Sequence, residues 1–269
     1  MYDIIVVGGG PAGLSAAITA RQRGKSVAVV TNDASGSGLY RAGQVRNYPG
    51  LPDISGADLL DKLREHAESM GASVINERVL AIAPADGAVG VSRATDVSRA
   101  AAVILAIGAA QSSVFPGEAE FLGRGVSYCA TCDGMFFRGK RVCVVMRAPD
   151  AESEAEYLES IGCEVVRLSP RDMTINGART VESVTADGET VRCAGVFILR
   201  RTIAPASLAA GVELRGGHIG TDEAMRASLP GVFAAGDCAG PPYQIAKAAG
   251  QGQIAALSAA GYIDGGGGL

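Results

Sequence analysis

The feature that most constrains the fold is a glycine-rich turn between a buried strand and a helix near the N-terminus. Residues 3–7 form a largely apolar run of the kind found in parallel sheets. The next residues place Gly8, Gly10 and Gly13 in a G-x-G-x-x-G spacing, and a helix rich in small residues is expected over 14–22. A second apolar strand at 27–30 completes the pattern, which predicts a dinucleotide-binding β-α-β unit.

Each glycine of this turn has a separate expected role. Gly8 makes the tight turn, Gly10 lets a pyrophosphate approach the backbone, and Gly13 allows helix and strand to pack closely. The N-terminus of the helix supplies amides and a dipole to the phosphates. Gly108 follows another apolar strand, at 103–107, and marks a second place where backbone and ligand can approach closely.

Two carboxylates are candidates for binding the hydroxyl groups of a ligand. The acidic partner of a ribose is expected at the end of the second strand, where Asp33 is the candidate and Thr31 or Asn32 could serve instead. Asp237 follows a strand and Gly236, so it can bind a polyol hydroxyl. Viewed alone, Asp237 could equally be a simple helix cap.

A second motif predicts redox chemistry. Cys129 and Cys132 form a Cys-x-x-Cys pair, a spacing at which one thiol often has a lowered pKa. Asp133 follows directly and can exchange a proton with a departing thiolate. Half of a zinc site and a structural disulfide are the alternatives. Zinc needs further ligands at suitable spacing, but the remaining cysteines and histidines are scattered singly: Cys143, Cys163, Cys193, Cys238, His66 and His218.

A second strand–helix–strand pattern follows the cysteine pair. We expect a strand at 141–146, a helix at 150–161 and a strand at 163–168. The turn from Met146 to Ala151 lacks the glycines of a nucleotide site, and Pro149 removes an amide donor. Asp150 caps the helix but repels a phosphate. The segment therefore keeps the pattern of a nucleotide domain without its binding chemistry.

Further secondary structure is read from periodicity and turn residues. Helices are expected at 56–70 and from about 242 to 263, and strands at 72–82 and 89–97. Asn176-Gly177 and Asp187-Gly188 predict hairpin turns. The N-terminus of the last helix would point its dipole at the ligand of Asp237 and favour electron density on a reduced ring.

Composition excludes several classes of function. The 269 residues carry a net charge of −4, which argues against general nucleic-acid binding, and 48% are apolar. No apolar run is long enough to cross a membrane, and the N-terminus has no signal-peptide pattern. Six cysteines are too few for a disulfide scaffold, so a cytoplasmic location is expected.

Taken together, these stretches resemble the low-molecular-weight thioredoxin reductases over essentially the whole chain. The resemblance rests on the G-x-G-x-x-G turn, Gly43-Gln44, the Asn-Tyr-Pro-Gly run at 47–50, the stretch 125–134 that contains the cysteine pair, and 232–237 with Gln244. It implies an α/β fold of two Rossmann-like three-layer domains. Residues 1–115 and 204–269 would form a discontinuous FAD-binding domain, and residues 116–203 would form an inserted domain that carries the cysteines.

The resemblance also implies roles for individual residues. Cys132 lies nearer the flavin and receives its electrons, Cys129 exchanges with the disulfide of a thioredoxin-like protein, and Asp133 donates and accepts the proton. The chain would be a homodimer with FAD as its cofactor. The cofactor-binding set is Gly8, Gly10, Gly13, Asp33, Gln44, Asn47, Gly108, Gly236, Asp237, Gln244 and Ile245.

The inserted domain departs from the family. The family's Gly-x-Gly-x-x-Ala motif for NADPH falls on Met146, Ala148 and Ala151, and its motif for the 2′-phosphate falls on 169–171, with Ile175 as the final position. The domain is also shorter than usual. These differences resemble the NADPH-independent branch that includes the ferredoxin-dependent flavin thioredoxin reductases, in which a ferredoxin or similar low-potential carrier reduces the FAD. The alternatives are an NAD(P)H-dependent reductase with an atypical site, a flavin dithiol oxidase that uses oxygen, and a non-catalytic flavin redox sensor.

Overall fold

The computed structural model divides the chain into two compact units. It describes residues 1–32, 37, 39–40, 42–85, 87–93, 95–108, 115–128, 130–147, 151–200 and 204–266, with the backbone alone at 119, 131, 132 and 200. Unit 1 comprises Met1–Ala110 and Ala204–Leu269, and unit 2 comprises Gln111–Ile203. Unit 2 is therefore inserted in the sequence of unit 1.

The helices and strands follow one another in this order. The first segment of unit 1 contains β1 (Tyr2–Val7), α1 (Pro11–Gln22), β2 (Val27–Thr31), α2 (Gly56–Ser69), β3 (Ser73–Asn76), β4 (Val79–Ala85), β5 (Ala88–Arg93) and β6 (Val97–Leu105). Unit 2 contains α3 (Glu118–Phe121), β7 (Val126–Ser127), α4 (Ala130–Asp133), a 3₁₀-helix (Gly134–Phe137), β8 (Arg141–Arg147), α5 (Ala151–Ser160), β9 (Glu164–Leu168), β10 (Met173–Gly177), β11 (Val181–Ala186), β12 (Glu189–Arg192) and β13 (Gly195–Arg200). Unit 1 resumes with α6 (Pro205–Leu208), β14 (Leu214–Arg215), β15 (His218–Ile219), β16 (Val232–Ala234), a 3₁₀-helix (Gly236–Ala239) and α7 (Ile245–Asp264).

Unit 1 is built on a seven-stranded mixed sheet. Its order is β3-β2-β1-β6-β5-β4, and β16 pairs with β6. β3, β2, β1, β6 and β16 are parallel, whereas β5 and β4 form an antiparallel extension. The parallel strands β1 and β2 are buried almost throughout because helices cover the sheet.

Helices α1 and α7 pack closely because small residues line their contact. A Cβ on Gly252 of α7 would lie 2.0 Å from the carbonyl oxygen of Ala12, so only glycine allows this approach. The Ser15 hydroxyl also donates to the carbonyl of Ala249 at 2.8 Å. These contacts join the first half of α1 to the first half of α7.

Unit 2 contains a four-stranded parallel sheet of order β7-β13-β8-β9 and an antiparallel sheet of order β10-β11-β12. α5 connects β8 to β9 and buries Ala151, Ala155 and Leu158.

The predicted α/β class with two Rossmann-like domains is confirmed. In the part of the chain that the structure describes, no helix is long and apolar enough to cross a membrane.

Three details of the predicted secondary structure are wrong. The strand expected over 72–82 is divided into β3 and β4, and the strand expected over 89–97 ends at Arg93 before β6 begins. The turn predicted at Asn176-Gly177 is absent, since β10 continues through Gly177 and the connection to β11 follows it. Gly177 is required there because a Cβ would lie 2.0 Å from the carbonyl oxygen of Thr180.

Candidate functional site

The predicted dinucleotide residues of unit 1 lie at one edge of its sheet. Because β1, β6 and β16 are parallel and adjacent, their carboxyl ends lie together. Gly8 follows β1, Gly108 follows β6, and Gly236 and Asp237 follow β16. The carboxyl edge of a parallel sheet is where α/β folds bind their ligands. The structure thus brings together residues that are more than 200 positions apart.

The glycine turn after β1 leaves no room for a side chain at Gly8 or Gly13 and has open space at Gly10. Gly8 has φ +113°, and a Cβ on it would lie 2.2 Å from the carbonyl oxygen of Ala106. A Cβ on Gly13 would lie 1.9 Å from the carbonyl oxygen of Gly8, so helix and strand touch there. A Cβ on Gly10 would meet nothing within 4 Å. Gly10 therefore borders open space that a phosphate can occupy.

The two helices that begin at this edge have N-termini without side-chain caps. Gly10 is the N-cap of α1 and Gln244 is the N-cap of α7, and neither helix has a capping side chain or an acidic residue in its first turn. The first backbone amides of a helix have no intrahelical partner, and they attract anions or other acceptors. The residues present therefore fit a dinucleotide at this edge, with Ile245 supplying an amide at the start of α7.

Asp237 lies in the 3₁₀-helix Gly236–Ala239, next to a lysine of α7. Burial raises the pKa of the Asp237 carboxyl, and the positive charge of Lys247 opposes that rise. Burial lowers the pKa of Lys247, and Asp237 opposes this change. Lys247 Nζ donates to the carbonyl oxygens of Gly236, at 2.9 Å, and of Gly240.

The polar residues of the 43–50 loop reach α7 through one contact. Asn47 Nδ2 donates to Gln244 Oε1 at 2.9 Å, so two predicted cofactor residues meet at the start of α7. Gln44 is exposed, and its amide donates to Asp53 at 3.0 Å and accepts from Arg46 at 2.7 Å. Gln44 is therefore held within its own loop, whereas Asn47 lies at the helix.

Of the residues predicted to bind the ribose, the structure describes Thr31 but not Asp33. Asp33 lies outside the described residues. Thr31 Oγ1 accepts a hydrogen bond from the backbone amide of Gly9 at 3.0 Å and donates to the carbonyl of Asn32 at 3.1 Å. Thr31 thus supports the glycine turn.

The cysteine pair of unit 2 lies at the short helix α4. Cys129 lies outside the described residues, and of Cys132 only the backbone is described, within α4. Asp133 ends α4, and its Oδ2 accepts from the buried hydroxyl of Ser127 at 2.6 Å. This short hydrogen bond fixes the carboxylate that follows the redox motif.

Two more acidic side chains hold the residues around the motif. The Tyr128 hydroxyl donates to Glu118 Oε1 at 2.9 Å, and Glu118 is 1% exposed. Glu154, in the first turn of α5, accepts from the backbone amide of Ala130 at 2.8 Å. These side chains therefore anchor the cysteine motif directly before it, at Tyr128, and within it, at Ala130.

The segment after the motif presents an apolar surface. Met135 and Phe136 of the 3₁₀-helix Gly134–Phe137 are 55% and 73% exposed. Exposed apolar groups of this size next to a reactive motif are typical of a contact surface for another protein. Beneath them, the buried Cys163 thiol donates to the carbonyl of Phe137 at 3.2 Å.

The start of α5 is acidic where a nucleotide domain would bind phosphate. Glu152 and Glu154 lie in its first turn, and Arg167 is occupied by ion pairs with Glu152 at 2.9 Å and with Glu159 at 2.6 Å. The turn at 148–150 lies outside the described residues. Ile175, at the final position of the family's phosphate motif, is 3% exposed within β10.

Sequence reasoning missed the residues that support the two motifs. Ser127, Glu118 and Glu154 act on the cysteine segment through contacts that no spacing rule predicts. The sequence could have indicated a role for Lys247, because a cation in the first turn of a helix is unfavourable with the helix dipole. No cluster of three metal-binding side chains occurs among the described residues.

Comparisons with known proteins agree with this geometry. The family model for pyridine nucleotide-disulphide oxidoreductases matches residues 2–174 and 161–252. The thioredoxin reductase of Treponema pallidum is 34% identical, over 98% of this chain and 97% of the relative.

Two solved structures have the same fold over almost the whole chain. A ferredoxin-flavin thioredoxin reductase from Clostridium acetobutylicum is 37% identical and has a TM-score of 0.91, over 98% of both chains. A thioredoxin reductase from Gloeobacter violaceus is 30% identical and has a TM-score of 0.82, over 98% of this chain and 94% of that one. The chain therefore belongs to the pyridine nucleotide-disulphide oxidoreductase family, as a thioredoxin reductase-like flavin oxidoreductase.

Proposed function

We propose that this protein is a flavin-dependent thioredoxin-disulfide reductase that receives its electrons from a ferredoxin-like carrier instead of NADPH. FAD would bind at the carboxyl edge of the unit 1 sheet. Cys129 and Cys132 would pass the electrons to the disulfide of a thioredoxin-like protein. The family resemblance further supports a homodimer located in the cytoplasm.

The residues of unit 1 supply what FAD requires. The Gly8–Gly13 turn and the start of α1 would hold the pyrophosphate, and Asp237 would accept a hydrogen bond from a hydroxyl of the cofactor. The backbone amide of Ile245, at the positive end of the α7 dipole, would stabilise negative charge on the flavin ring. When bound, FAD can accept single electrons from a protein donor and deliver two to a disulfide.

The single observation that favours a donor other than NADPH is the acidic start of α5. A dinucleotide needs a phosphate-binding helix N-terminus, but the first turn of α5 contains Glu152 and Glu154, and Glu154 binds the amide of Ala130. Glu152 is paired with Arg167, whereas Glu154 places a carboxylate at this helix end, which repels phosphate. The similarity to the ferredoxin-flavin enzyme of Clostridium acetobutylicum supports the same conclusion.

The cysteine pair would react by thiol–disulfide exchange. The Cys129 thiolate attacks one sulfur of the substrate disulfide, forming a mixed disulfide and releasing one substrate thiolate. The Cys132 thiolate then attacks the Cys129 sulfur, which releases the second substrate thiolate and leaves a Cys129–Cys132 disulfide. Asp133, oriented by Ser127, would supply the proton to a departing thiolate.

The exposed apolar pair after the motif supports a protein substrate. Met135 and Phe136 offer a contact surface directly C-terminal to the cysteines, and small dithiols would not need one. Arg138 and Lys140 next to them are exposed and positively charged. A thioredoxin-like partner with an apolar contact surface and an acidic rim would fit this segment.

The donor is tested by anaerobic titration of the holoprotein with reduced ferredoxin, NADPH and NADH. We expect the visible absorption band of the flavin to bleach with reduced ferredoxin and to stay unchanged with equimolar NADPH or NADH. Rapid bleaching by either nicotinamide would contradict the proposed donor.

The Cys132→Ser variant is the matched control in the same experiment. It should still be bleached by ferredoxin but should no longer reduce a thioredoxin disulfide. Undiminished reduction of thioredoxin by this variant would contradict the proposed role of the cysteine pair.

A further inference from the structure

The first turn of helix α7 contains a lysine, although a positive charge is unfavourable at a helix N-terminus. Lys247 is the third residue of the helix, where the positive end of the dipole repels a cation. Its side chain is partly buried, and burial lowers its pKa. A cation in such a place needs compensation from specific partners. The structure provides them in the turn that follows β16.

Lys247 and Gln251 together bind both backbone polar groups of Gly236. Lys247 Nζ donates to the carbonyl oxygen of Gly236 at 2.9 Å and also to that of Gly240. Gln251 Oε1 accepts from the amide of Gly236 at 3.0 Å. The two side chains are four residues apart on α7 and therefore lie on the same face of the helix.

Gly236 is the residue whose backbone sets the position of Asp237. Its φ is +83°, a conformation that side chains rarely adopt, and a Cβ would lie 2.9 Å from the Cβ of Ala12. Gly236 thus sits between α1 and α7 at the start of the 3₁₀-helix. Binding both its amide and its carbonyl restricts the two dihedral angles that direct Asp237.

We propose that Lys247 and Gln251 are positioning residues, which hold Gly236 so that the carboxylate of Asp237 meets the cofactor. The inference rests on the proposed function, because it places FAD at Asp237. Lys247 contributes a second effect through its charge, since it favours the ionised carboxylate that can accept a hydrogen bond from a hydroxyl.

The test measures the release rate of FAD from the holoprotein, by the fluorescence of the freed cofactor, in Lys247→Met, Gln251→Leu and the double variant. In each single variant, loss of the hydrogen bond to Gly236 should accelerate release about two- to tenfold. Because both side chains hold the same residue, the double variant should show less than the product of the two single effects. Unchanged release in both single variants would overturn the inference.

The same substitutions in an Asp237→Ala background separate positioning from a general structural role. Without the carboxylate, Lys247→Met and Gln251→Leu should cause no further acceleration. Equal acceleration in both backgrounds would mean that the side chains act directly or through loosening of α7, and would overturn the inference. Gln251→Glu keeps an acceptor for the Gly236 amide, so this variant should release FAD as slowly as the wild type. It keeps the inference testable if the Lys247→Met protein fails to fold.

Gln253→Leu is the matched control, since Gln253 is exposed on the same helix. It should release FAD at the wild-type rate, and acceleration equal to that of Gln251→Leu would contradict the inference. The failure of the proposed function has a different signature. A wild-type protein that binds no FAD would contradict the proposed function, whereas a wild-type protein that binds FAD beside unaffected variants contradicts only the positioning role.

Discussion

Single cysteines show how differently one residue type can be used in this chain. Cys143, Cys163 and Cys238 are buried at 0%, 7% and 2% exposure. A hydrogen bond with Cys193, together with burial, raises the pKa of Cys143, and burial alone raises that of Cys163. Burial raises the pKa of Cys238 to about 11, and its thiol donates to the carbonyls of Leu105 and Ala235. These three thiols are packing residues.

Alkylation distinguishes these thiols from the proposed redox pair. At pH 8 a thiol with a pKa of about 11 is ionised in about one molecule in a thousand, and the thiolate is the reactive form. We therefore expect iodoacetamide to label Cys129 or Cys132 of the native, reduced protein, with at least about 100-fold slower labelling of Cys143, Cys163 and Cys238. Peptide mass spectrometry measures the sites. The denatured protein is the control, since all six cysteines should then react. Labelling of Cys238 as fast as that of Cys132 would contradict the prediction.

At the scale of elements, the turn between β1 and α1 separates two demands on glycine. Gly13 is needed for packing, since a Cβ there would lie 1.9 Å from the carbonyl oxygen of Gly8. Gly10 is extended, with φ −83° and ψ −177°, and borders open space. The backbone at Gly10 suits any residue, so the fold does not require glycine there. We therefore propose that a glycine is needed there for the approach of the ligand.

Two alanine substitutions form a matched pair that tests this division. Gly10→Ala should leave the stability of the deflavinated protein within about 0.5 kcal/mol of the wild type. It should weaken FAD binding at least about tenfold, because the methyl group occupies the phosphate position. Gly13→Ala should destabilise the deflavinated protein by about 1–3 kcal/mol through overpacking. Chemical denaturation and FAD titration measure the two effects. A Gly10→Ala protein with wild-type affinity would contradict the placement of the pyrophosphate.

The elements also show which parts of the structure the sequence could predict. β1, α1 and β2 follow from apolar runs and glycine spacing, because these patterns report local conformation. The division between β3 and β4 escaped prediction, since residues 77–78, Glu and Arg, carry no turn signal. Contacts such as Ser127–Asp133 and Lys247–Gly236 were also missed. These pairs are only 6 and 11 residues apart, but their contacts depend on the conformation of the turns between them, which no periodicity records.

On the scale of the whole molecule, the two units differ in what they can bind. Unit 1 has two uncapped helix N-termini at one sheet edge. Unit 2 repeats the strand–helix–strand arrangement, but its α5 begins with two glutamates. We therefore expect the chain to bind FAD and not to bind NADPH.

Thermal unfolding of the deflavinated protein measures this difference. A ligand at 100 times its Kd stabilises the folded state by about 2.7 kcal/mol. For a chain of this size the expected rise in Tm is about 5–10 °C with FAD, at about 2–4 °C per kcal/mol. NADPH at the same concentration should change Tm by less than about 1 °C. The Gly10→Ala variant is the control, since its response to FAD should shrink. A shift with NADPH as large as that with FAD would contradict the assignment of the two units.

The hydrogen bond between Glu154 and the amide of Ala130 has a consequence for how this lineage can change. The helix end that binds a phosphate in a nucleotide domain here anchors the segment that carries the thiols. Restoring glycines at 146–151 would therefore leave a carboxylate in the path of an incoming phosphate. Removing Glu154 as well would release the amide that it holds at the cysteine motif. Under the proposed function, the substitution at Glu154 that would admit a phosphate therefore also loosens the cysteine motif, so we expect nicotinamide binding to be difficult to gain in single steps.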